Sequence, residues 1–239
     1  MKKRIKIQVC PLFIMGVLLF GSFSCTKSSD SSQQNNITPL DRGTITDIEG
    51  NIYKTVKLGS QWWMAENLRT TKYNDSTSIT SVPDTAAWEK LSTPGYCWYN
   101  NDSVTYIGTY GALYNWFAVN TGKLAPKGWH IPTDAEWTTL TTYLGGELIA
   151  GSEMKETGVK HWMSPNTGAT NSTEFTALPG GFRGNDGSFV YLKYFAYYWS
   201  SLQYDTTYAR YRYLCWEYGY ANRYYFYKTA GFSIRCVKD

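Results

Sequence analysis

Histidine is scarce in this chain of 239 residues, which contains two: His130 and His161. His161 has no metal-like spacing to another candidate ligand. The sequence also lacks the G-x-S-x-G, H-E-x-x-H, P-loop and dinucleotide-binding glycine patterns, which mark several large enzyme classes. We therefore expect a protein that is not an enzyme and that holds neither a metal ion nor a cofactor.

Long apolar segments are also missing, apart from one near the N-terminus. Residues 9–23 are apolar but too short for a membrane-spanning helix, which needs about 20 such residues. They follow four basic residues and precede Cys25, as in a bacterial lipoprotein signal, in which the cysteine is acylated. We predict a lipoprotein signal peptide over residues 1–24 and lipidation of Cys25, while Ser22 and Ser24 also allow plain secretion through an ordinary signal peptidase.

The balance of charge argues against a nucleic-acid partner. The formal net charge is +4, and four basic residues lie ahead of Cys25 in the predicted signal. Without the signal, basic and acidic residues are equal in number, so no basic arm remains to neutralise phosphates. We expect an exported lipoprotein of the outer membrane or cell surface, which contacts the membrane through the lipid on Cys25.

The signal is followed by a polar segment, TKSSDSSQQNNITP at residues 26–39. Such a composition cannot contribute to a core, and we predict a disordered tether over residues 25–40. The remainder, residues 41–239, fits a single domain. Its many short segments bounded by glycine indicate strands more than helices.

The stretch PKGWHIPTDAEWTTL, residues 126–140, places two carboxylates close behind His130. Thr133 followed by Glu136 forms a capping box, and Asp134 occupies the first turn, where the helix dipole favours a negative charge. An apolar stripe and a glycine stop complete the helix pattern: Trp137, Leu140 and Leu144, then Gly145 and Gly146. Helix formation thus explains both carboxylates, and we interpret His130 as a hydrogen-bonded structural residue.

Hairpins are predicted at both ends of the domain. Residues 44–58 indicate a hairpin with its turn at 49–51, and a short helix is expected within 84–91. The GNDG tetrapeptide at 184–187 indicates a turn, although its Asn and Asp could also offer oxygens to calcium. Three segments near the C-terminus are interpreted as a meander of strands with turns near Gly219 and Gly231: 208–217, 222–228 and 232–237.

Three cysteines lie in the predicted domain: Cys97, Cys215 and Cys236. An exported chain favours disulfides, but an odd number leaves at least one thiol unpaired. In the predicted meander, Cys215 and Cys236 are two strand spacings apart, about 9.6 Å, which is beyond disulfide reach. Cys97 with Cys236 is then the predicted disulfide, and three reduced cysteines are the alternative.

Six blocks of sequence occur in an order that resembles a known family. They are DIEGNIYKTVKLGSQWWMAENLR, GALYNW, PKGWHIPTDAEWTTL, FTALPGGFRGNDGSF, YYWSS and GFSIRCVKD. From Ile45 to Asp239 the chain resembles the Fibrobacter succinogenes major paralogous domain, which is grouped with the C-type-lectin-like fold. The resemblance implies an α+β domain with twisted antiparallel sheets, one or two helices and long loops that often present a ligand. Ala125 stands where members often have a cysteine.

The block IPTDAEW is also similar to the helix entry of formylglycine-generating enzymes, which share that fold. Those enzymes are oxidases that bind copper through a close cysteine pair. Here Cys215 and Cys236 are separated in the predicted meander. A copper-dependent oxidase is therefore kept as the lesser alternative.

We favour a non-catalytic binding module whose ligand is a glycan or a surface protein. Tyr and Trp offer rigid amphipathic area at small entropic cost, and 13 of the 21 tyrosines fall within residues 191–227. Aromatic pairs also hold sheets together, so half of the candidates are expected in the core. The alternative is a structural envelope component without a small ligand. Because the resemblance puts ligand sites near the C-terminus, the ligand-binding candidates are Tyr197, Tyr198, Trp199, Tyr204, Tyr208, Arg210, Arg212 and Trp216.

Overall fold

The computed structural model describes residues 40–239, so the predicted signal peptide, Cys25 and residues 25–39 of the predicted tether lie outside the described residues. The strands are β1 Arg42–Thr46, β2 Ile52–Leu58, β3 Gln61–Met64, β4 Tyr96–Cys97, β5 Leu113–Tyr114, β6 Trp129–His130, β7 Gly180–Arg183, β8 Phe189–Leu192, β9 Phe195–Gln203, β10 Tyr208–Cys215, β11 Ala221–Tyr227 and β12 Val237–Lys238. The helices are α1 Thr85–Glu89, α2 Ser103–Tyr110, α3 Trp116–Val119, α4 Asp134–Tyr143 and α5 Glu147–Met154, with a 3₁₀ helix at Tyr99–Asn101.

The first sheet has five antiparallel strands in the order β1-β2-β3-β12-β6. The predicted β1–β2 hairpin is confirmed: Gly50 takes a φ of +84°, and Asp47 Oδ1 accepts two backbone N–H groups of the turn at 2.9 Å. Val237 of β12 pairs with Trp63 on one side and His130 on the other. The sheet therefore joins the first and last strands of the described chain.

The second sheet has the order β11-β10-β9-β7-β8, with β7 parallel to β9. The β10–β11 hairpin of the predicted meander is confirmed, with Arg212 opposite Arg223. The prediction of a third strand beside β11 is wrong. Residues 231–233 make single bridges to β7, β5 and β9, and the chain then enters the first sheet as β12. This path buries the apolar side chains of the last segment: Phe232, Ile234 and Cys236.

The central strand β9 is covered on both faces. On one face Tyr197 and Trp199 join a large hydrophobic cluster that includes Phe232, and on the other face Tyr198 joins a second cluster that includes Trp137 of α4. Most antiparallel strands have one solvated face, whereas a strand buried on both faces carries apolar residues at successive positions. This explains the run of three aromatic residues in β9.

The capping box at the start of α4 is confirmed. Thr133 Oγ1 accepts the backbone N–H of Glu136 at 3.2 Å, and Glu136 Oε2 accepts the backbone N–H of Thr133 at 2.7 Å. At the other end, the N–H of Gly146 donates to the carbonyl of Thr141 at 2.8 Å, and Gly145 and Gly146 both take positive φ. Helix α4 thus ends where predicted.

Residues 40–239 form a mixed fold of helices and curled antiparallel sheets, as the α+β prediction states. The resemblance implied one or two helices, whereas residues 40–239 contain five short α-helices, of which α2 and α5 were not indicated by the sequence patterns. Within the same residues, no helix combines the length and apolar character needed to cross a bilayer. The C-type-lectin-like identity stays a prediction.

Candidate functional site

His130 bridges Asp239, which follows β12, to helix α4. Its Nδ1 lies 2.6 Å from Asp239 Oδ1, and its Nε2 lies 2.8 Å from Glu136 Oε1. Burial by itself lowers the pKa of His130, but the hydrogen bonds to Asp239 and Glu136 outweigh it, and the pKa is raised. Because both ring nitrogens face carboxylates, the His130 ring forms a bridge between Asp239 and α4, which agrees with its interpretation as a hydrogen-bonded structural residue.

Metal-ligating side chains are not grouped in the described part of the chain. Within residues 40–239, no set of three or more His, Cys, Asp or Glu side chains is arranged to hold a metal ion. His161 Nδ1 lies 2.8 Å from Glu156 Oε2. In the turn at 184–187, the carboxylate of Asp186 accepts the backbone N–H of Ser188 at 3.1 Å and its hydroxyl at 2.6 Å. The predicted turn is therefore confirmed.

Asp134 holds α4 against the β10–β11 hairpin. Its carboxylate accepts Arg223 Nε at 2.9 Å and Nη2 at 2.6 Å, and Arg212 Nη2 lies 3.5 Å away. Arg212 also pairs with Glu147 of α5 and donates to Thr138 Oγ1 at 2.9 Å. Because Arg212 is only 1% exposed and its guanidinium belongs to this network, the structure places it among the half of the ligand candidates that were expected in the core.

Three other predicted ligand residues lie in the core. Tyr198 and Trp199 have no exposed surface, and Tyr197 is 8% exposed. Trp199 Nε1 donates to the carbonyl of Tyr114 at 2.9 Å, and the ring of Tyr198 stacks on Trp137 with the ring centres 5.8 Å apart. These side chains fill the space on the two faces of β9. These three candidates therefore also belong to the half that was expected in the core.

Trp216 lies apart from the other candidates. It is half-buried beyond the end of β10, where its ring packs edge to face against Tyr194 with the centres 5.9 Å apart. Tyr208 begins the same strand, about 26 Å away at roughly 3.3 Å per residue. Trp216 and Tyr208 therefore do not share one small-ligand site.

The remaining candidates meet along the β10–β11 hairpin, where they contact three tyrosines of β11. Tyr204 and Tyr224 are 47% and 50% exposed, and the other members are half-buried. We call this group the tyrosine surface. Its members are Tyr204, Tyr208, Arg210, Tyr224, Tyr225 and Tyr227.

The rings of the tyrosine surface are ordered by contact with one another. Tyr204 and Tyr225 stack with centres 4.3 Å apart and planes 4° from parallel, and Tyr224 and Tyr225 stack at 4.8 Å and 7°. Tyr208 packs on Tyr227 with the ring centres 4.7 Å apart. The guanidinium carbon of Arg210 lies 4.5 Å from the ring centre of Tyr204, a cation–π distance. The side chains therefore form one preorganised aromatic area.

The register of the hairpin and a single Asp build this arrangement. Tyr208 pairs with Tyr227, and Arg210 pairs with Tyr225, so their side chains project to the same face. Asp205 Oδ1 accepts two backbone N–H groups at 2.7 Å and fixes the turn ahead of β10. On the other side of β10, the pairing with β9 shifts register between Ala209 and Tyr211, the two residues that flank Arg210.

Two hydroxyl groups of this surface, those of Tyr208 and Tyr225, hold their protons more strongly than a free tyrosine does. A hydrogen bond with Tyr227 raises the pKa of Tyr208 to about 12, and the neighbouring Tyr224 raises the pKa of Tyr225. Within the tyrosine surface the formal charge comes from Arg210. The surface therefore presents flat apolar rings, neutral hydrogen-bonding groups and one cation, a combination that suits binding to amphipathic ligands.

Sequence reasoning missed the three tyrosines of β11: Tyr224, Tyr225 and Tyr227. The turn between β10 and β11 was predicted to be centred near Gly219. The observed pairing of Arg212 with Arg223 centres this turn one to two residues earlier in the chain. With the correct register, alternation along the two strands places Tyr225 opposite Arg210. The missing signal was therefore the position of the turn.

The predicted disulfide between Cys97 and Cys236 is not formed, since both are buried free thiols in separate hydrophobic clusters. Burial raises the pKa of Cys97 to about 12 and also raises the pKa of Cys236. Cys215 is buried opposite Phe195 of β9, and its sulfur accepts the backbone N–H of Glu217 at 3.4 Å. The pairing argument failed because Cys236 precedes β12 of the first sheet and does not lie in a meander beside β11.

Comparison with known proteins gives one family. Residues 56–238 match a family model described as the Fibrobacter succinogenes major domain. No curated protein and no solved structure matches the chain. The matched range includes the tyrosine surface, His130 with Glu136, and the whole of the second sheet.

Proposed function

The chain belongs to the Fibrobacter succinogenes major domain family, and from this premise we propose that it is a non-catalytic binding module of a bacterial cell envelope, which takes a glycan chain on its tyrosine surface. The observation that carries the proposal is the exposure of this group of stacked tyrosines. The central aromatic residues of β9 and Tyr211 of β10 are buried in the core, whereas Tyr204 and Tyr224 keep about half of their surface in contact with solvent.

The stacking of the rings favours binding. Large side chains usually lose rotamer freedom when a ligand arrives, at about 0.5–1.5 kcal/mol for each side chain that is immobilised. In the tyrosine surface, Tyr225 is already held between contacts to Tyr204 and Tyr224. A sugar chain can therefore place its apolar faces on ordered rings and its hydroxyls near the phenol groups at little further entropic cost.

The geometry around the reactive residue types supports a role without catalysis. The imidazole of His130 is held at both nitrogens by carboxylates, and Glu136 also caps α4. Burial keeps Cys97 and Cys236 in the thiol form, which is a poor nucleophile. Each of these groups has a structural task in the fold.

The proposed location at the cell envelope rests on the sequence. Basic residues, the apolar stretch 9–23 and Cys25 support a lipid anchor on an exported chain. In this proposal the domain meets extracytoplasmic polysaccharides while the lipid retains it at the membrane.

The test is a polysaccharide and glycan panel probed with the purified protein, followed by titration calorimetry on any glycan that binds. We expect Tyr204→Ala and Tyr225→Ala each to weaken binding by about tenfold, as for interface side chains worth over 1 kcal/mol. Tyr143→Ala is the matched control, since Tyr143 is 59% exposed outside the tyrosine surface. Binding of no glycan, or equal binding by all variants, would refute the proposal and favour a structural component or a protein partner.

A further inference from the structure

A cleft elsewhere in the domain offers a concave site that shares no residue with the tyrosine surface. This cleft has a volume of about 520 Å³ and is bordered by β1, β2, the end of α2 and the loops at 65–69, 160–161 and 174–178. Ligand sites for small molecules typically have about 300–1,000 Å³. The cleft is therefore large enough for a molecule the size of a monosaccharide or disaccharide.

The charges that line the cleft are predominantly positive. Two carboxylates, Glu66 and Glu174, face five cationic side chains, although residues 40–239 as a whole contain as many acidic as basic residues. The excess in the cleft is thus a local concentration of charge. The cationic residues are Arg42, Lys54, Arg69, Lys160 and Arg235.

Arg235 brings a buried charge that forms no ion pair within residues 40–239, although the Glu66 carboxylate of the cleft attracts it at longer range. It is 1% exposed, and its hydrogen bonds go to neutral acceptors: Asn67 Oδ1 at 2.6 Å and the carbonyls of Met64, Phe175 and Thr176 at 3.1, 2.7 and 2.9 Å. Such bonds satisfy the N–H groups but leave the positive charge in place. In a poorly solvated environment that charge is felt strongly by an anion in the adjacent cleft.

The two lysines of the cleft are available to a ligand. Within residues 40–239, the ammonium groups of Lys54 and Lys160 have no hydrogen-bond or ion-pair partner, and both side chains are exposed. Arg42, by contrast, is paired with Glu174, with its Nε at 2.6 Å. Glu66 Oε2 accepts the backbone N–H of Lys54 at 2.6 Å, which directs that carboxylate toward the strand.

We propose that this cleft binds a small anionic ligand through a carboxylate or phosphate group, with Lys54 and Lys160 contacting the anion above the buried charge of Arg235. The ligand class is a sugar acid or sugar phosphate, the sizes and charges of which match the volume and the cationic lining. The site acts independently of the tyrosine surface, so it does not depend on the glycan proposal.

The experiment is calorimetric titration of the purified full chain with glucuronate, with glucose 6-phosphate and with glucose as the neutral control. We expect at least one anion to bind with a Kd below about 1 mM while glucose does not bind, and the stronger of the two anions identifies the preferred group. Because the attraction is electrostatic, the Kd should rise severalfold between about 20 and 200 mM salt.

Charge-neutralising variants locate the site. Lys54→Gln and Lys160→Gln are each expected to weaken binding by about fivefold, whereas Lys57→Gln should leave it unchanged, because Lys57 is a half-buried lysine of β2 that lies outside the cleft and pairs with Asp41. Unaltered far-ultraviolet circular dichroism establishes that the variants are folded. Absence of binding by both anions up to about 10 mM, equal binding of glucose, or full binding by the double lysine variant would each overturn the proposal.

Discussion

The substitution Asp134→Asn tests whether the carboxylates near His130 are present for the fold. Asp134 faces two arginines that lie directly opposite each other in the β10–β11 hairpin, Arg212 and Arg223. Like charges in such a cross-strand position destabilise a sheet unless an anion lies between them. The neutral amide keeps the size of the side chain but removes the charge that holds both guanidinium groups to α4.

The contacts of Asp134 determine how much stability the Asp134→Asn variant is expected to lose. Removing one partner of a buried ion pair costs about 3–5 kcal/mol. Arg223 is 41% exposed and Glu147 still pairs with Arg212, so solvent screening and the second carboxylate reduce the loss to about 2–3 kcal/mol. For a domain of about 200 residues this lowers the Tm by about 5–10 °C.

The assay is urea unfolding followed by tryptophan fluorescence, with the slope of the transition compared between proteins. Glu89→Gln is the control, because Glu89 of α1 is exposed and outside the ion pairs of residues 40–239, and its loss should be below about 0.5 kcal/mol. Adding Arg223→Gln to Asp134→Asn should restore part of the stability. A loss below about 0.5 kcal/mol for Asp134→Asn would refute the structural interpretation of this carboxylate.

Three further predictions follow from the burial and pairing of single residues. The pKa of His130 is raised above its ordinary value of about 6.5, so its contribution to stability is present below that pH and is lost as the pH rises through the folded-state pKa. The free energy of unfolding should therefore fall over this pH range in the wild type but not in His130→Gln. Parallel plots of unfolding free energy against pH for the two proteins would contradict the bridge. Trp199→Ala should cost about 3–5 kcal/mol in urea unfolding because it leaves a cavity, and a surface-like loss below 1 kcal/mol would return this residue to the ligand candidates. Cys97 and Cys236 should resist alkylation in the native protein and react after denaturation, as followed by peptide mass spectrometry, whereas a linked peptide in a non-reducing digest would restore the predicted disulfide.

Local features of the fold were predictable from the sequence. The capping box of Thr133 and Glu136, the glycine stop after α4 and the turn at Gly50 depend on residues within a few positions of one another. Helix α2 was also within reach, since the carboxylate of Asp102 accepts the backbone N–H of Thr105 at 3.0 Å as an N-cap. Its aromatic and β-branched residues made the helix pattern weak.

The rest depends on contacts between distant parts of the chain. Nothing near Val237 indicates that it will pair with Trp63 and His130, so a local meander was the natural interpretation. The same difficulty affects the site. Whether an aromatic of β9 is buried depends on what covers each face, and Trp199 became a core residue because Phe232 packs against it with the ring centres 4.2 Å apart.

The central claim is that the tyrosine surface receives the ligand, and nuclear magnetic resonance of the protein with ¹³C-labelled tyrosine rings tests it most directly. On addition of the glycan selected by the panel, the account predicts shifts of the ring signals of Tyr204, Tyr208 and Tyr225. Signals of the buried Tyr198 and of Tyr143 should stay in place. Ligand binding that shifts other tyrosines and leaves these three unchanged would contradict the account.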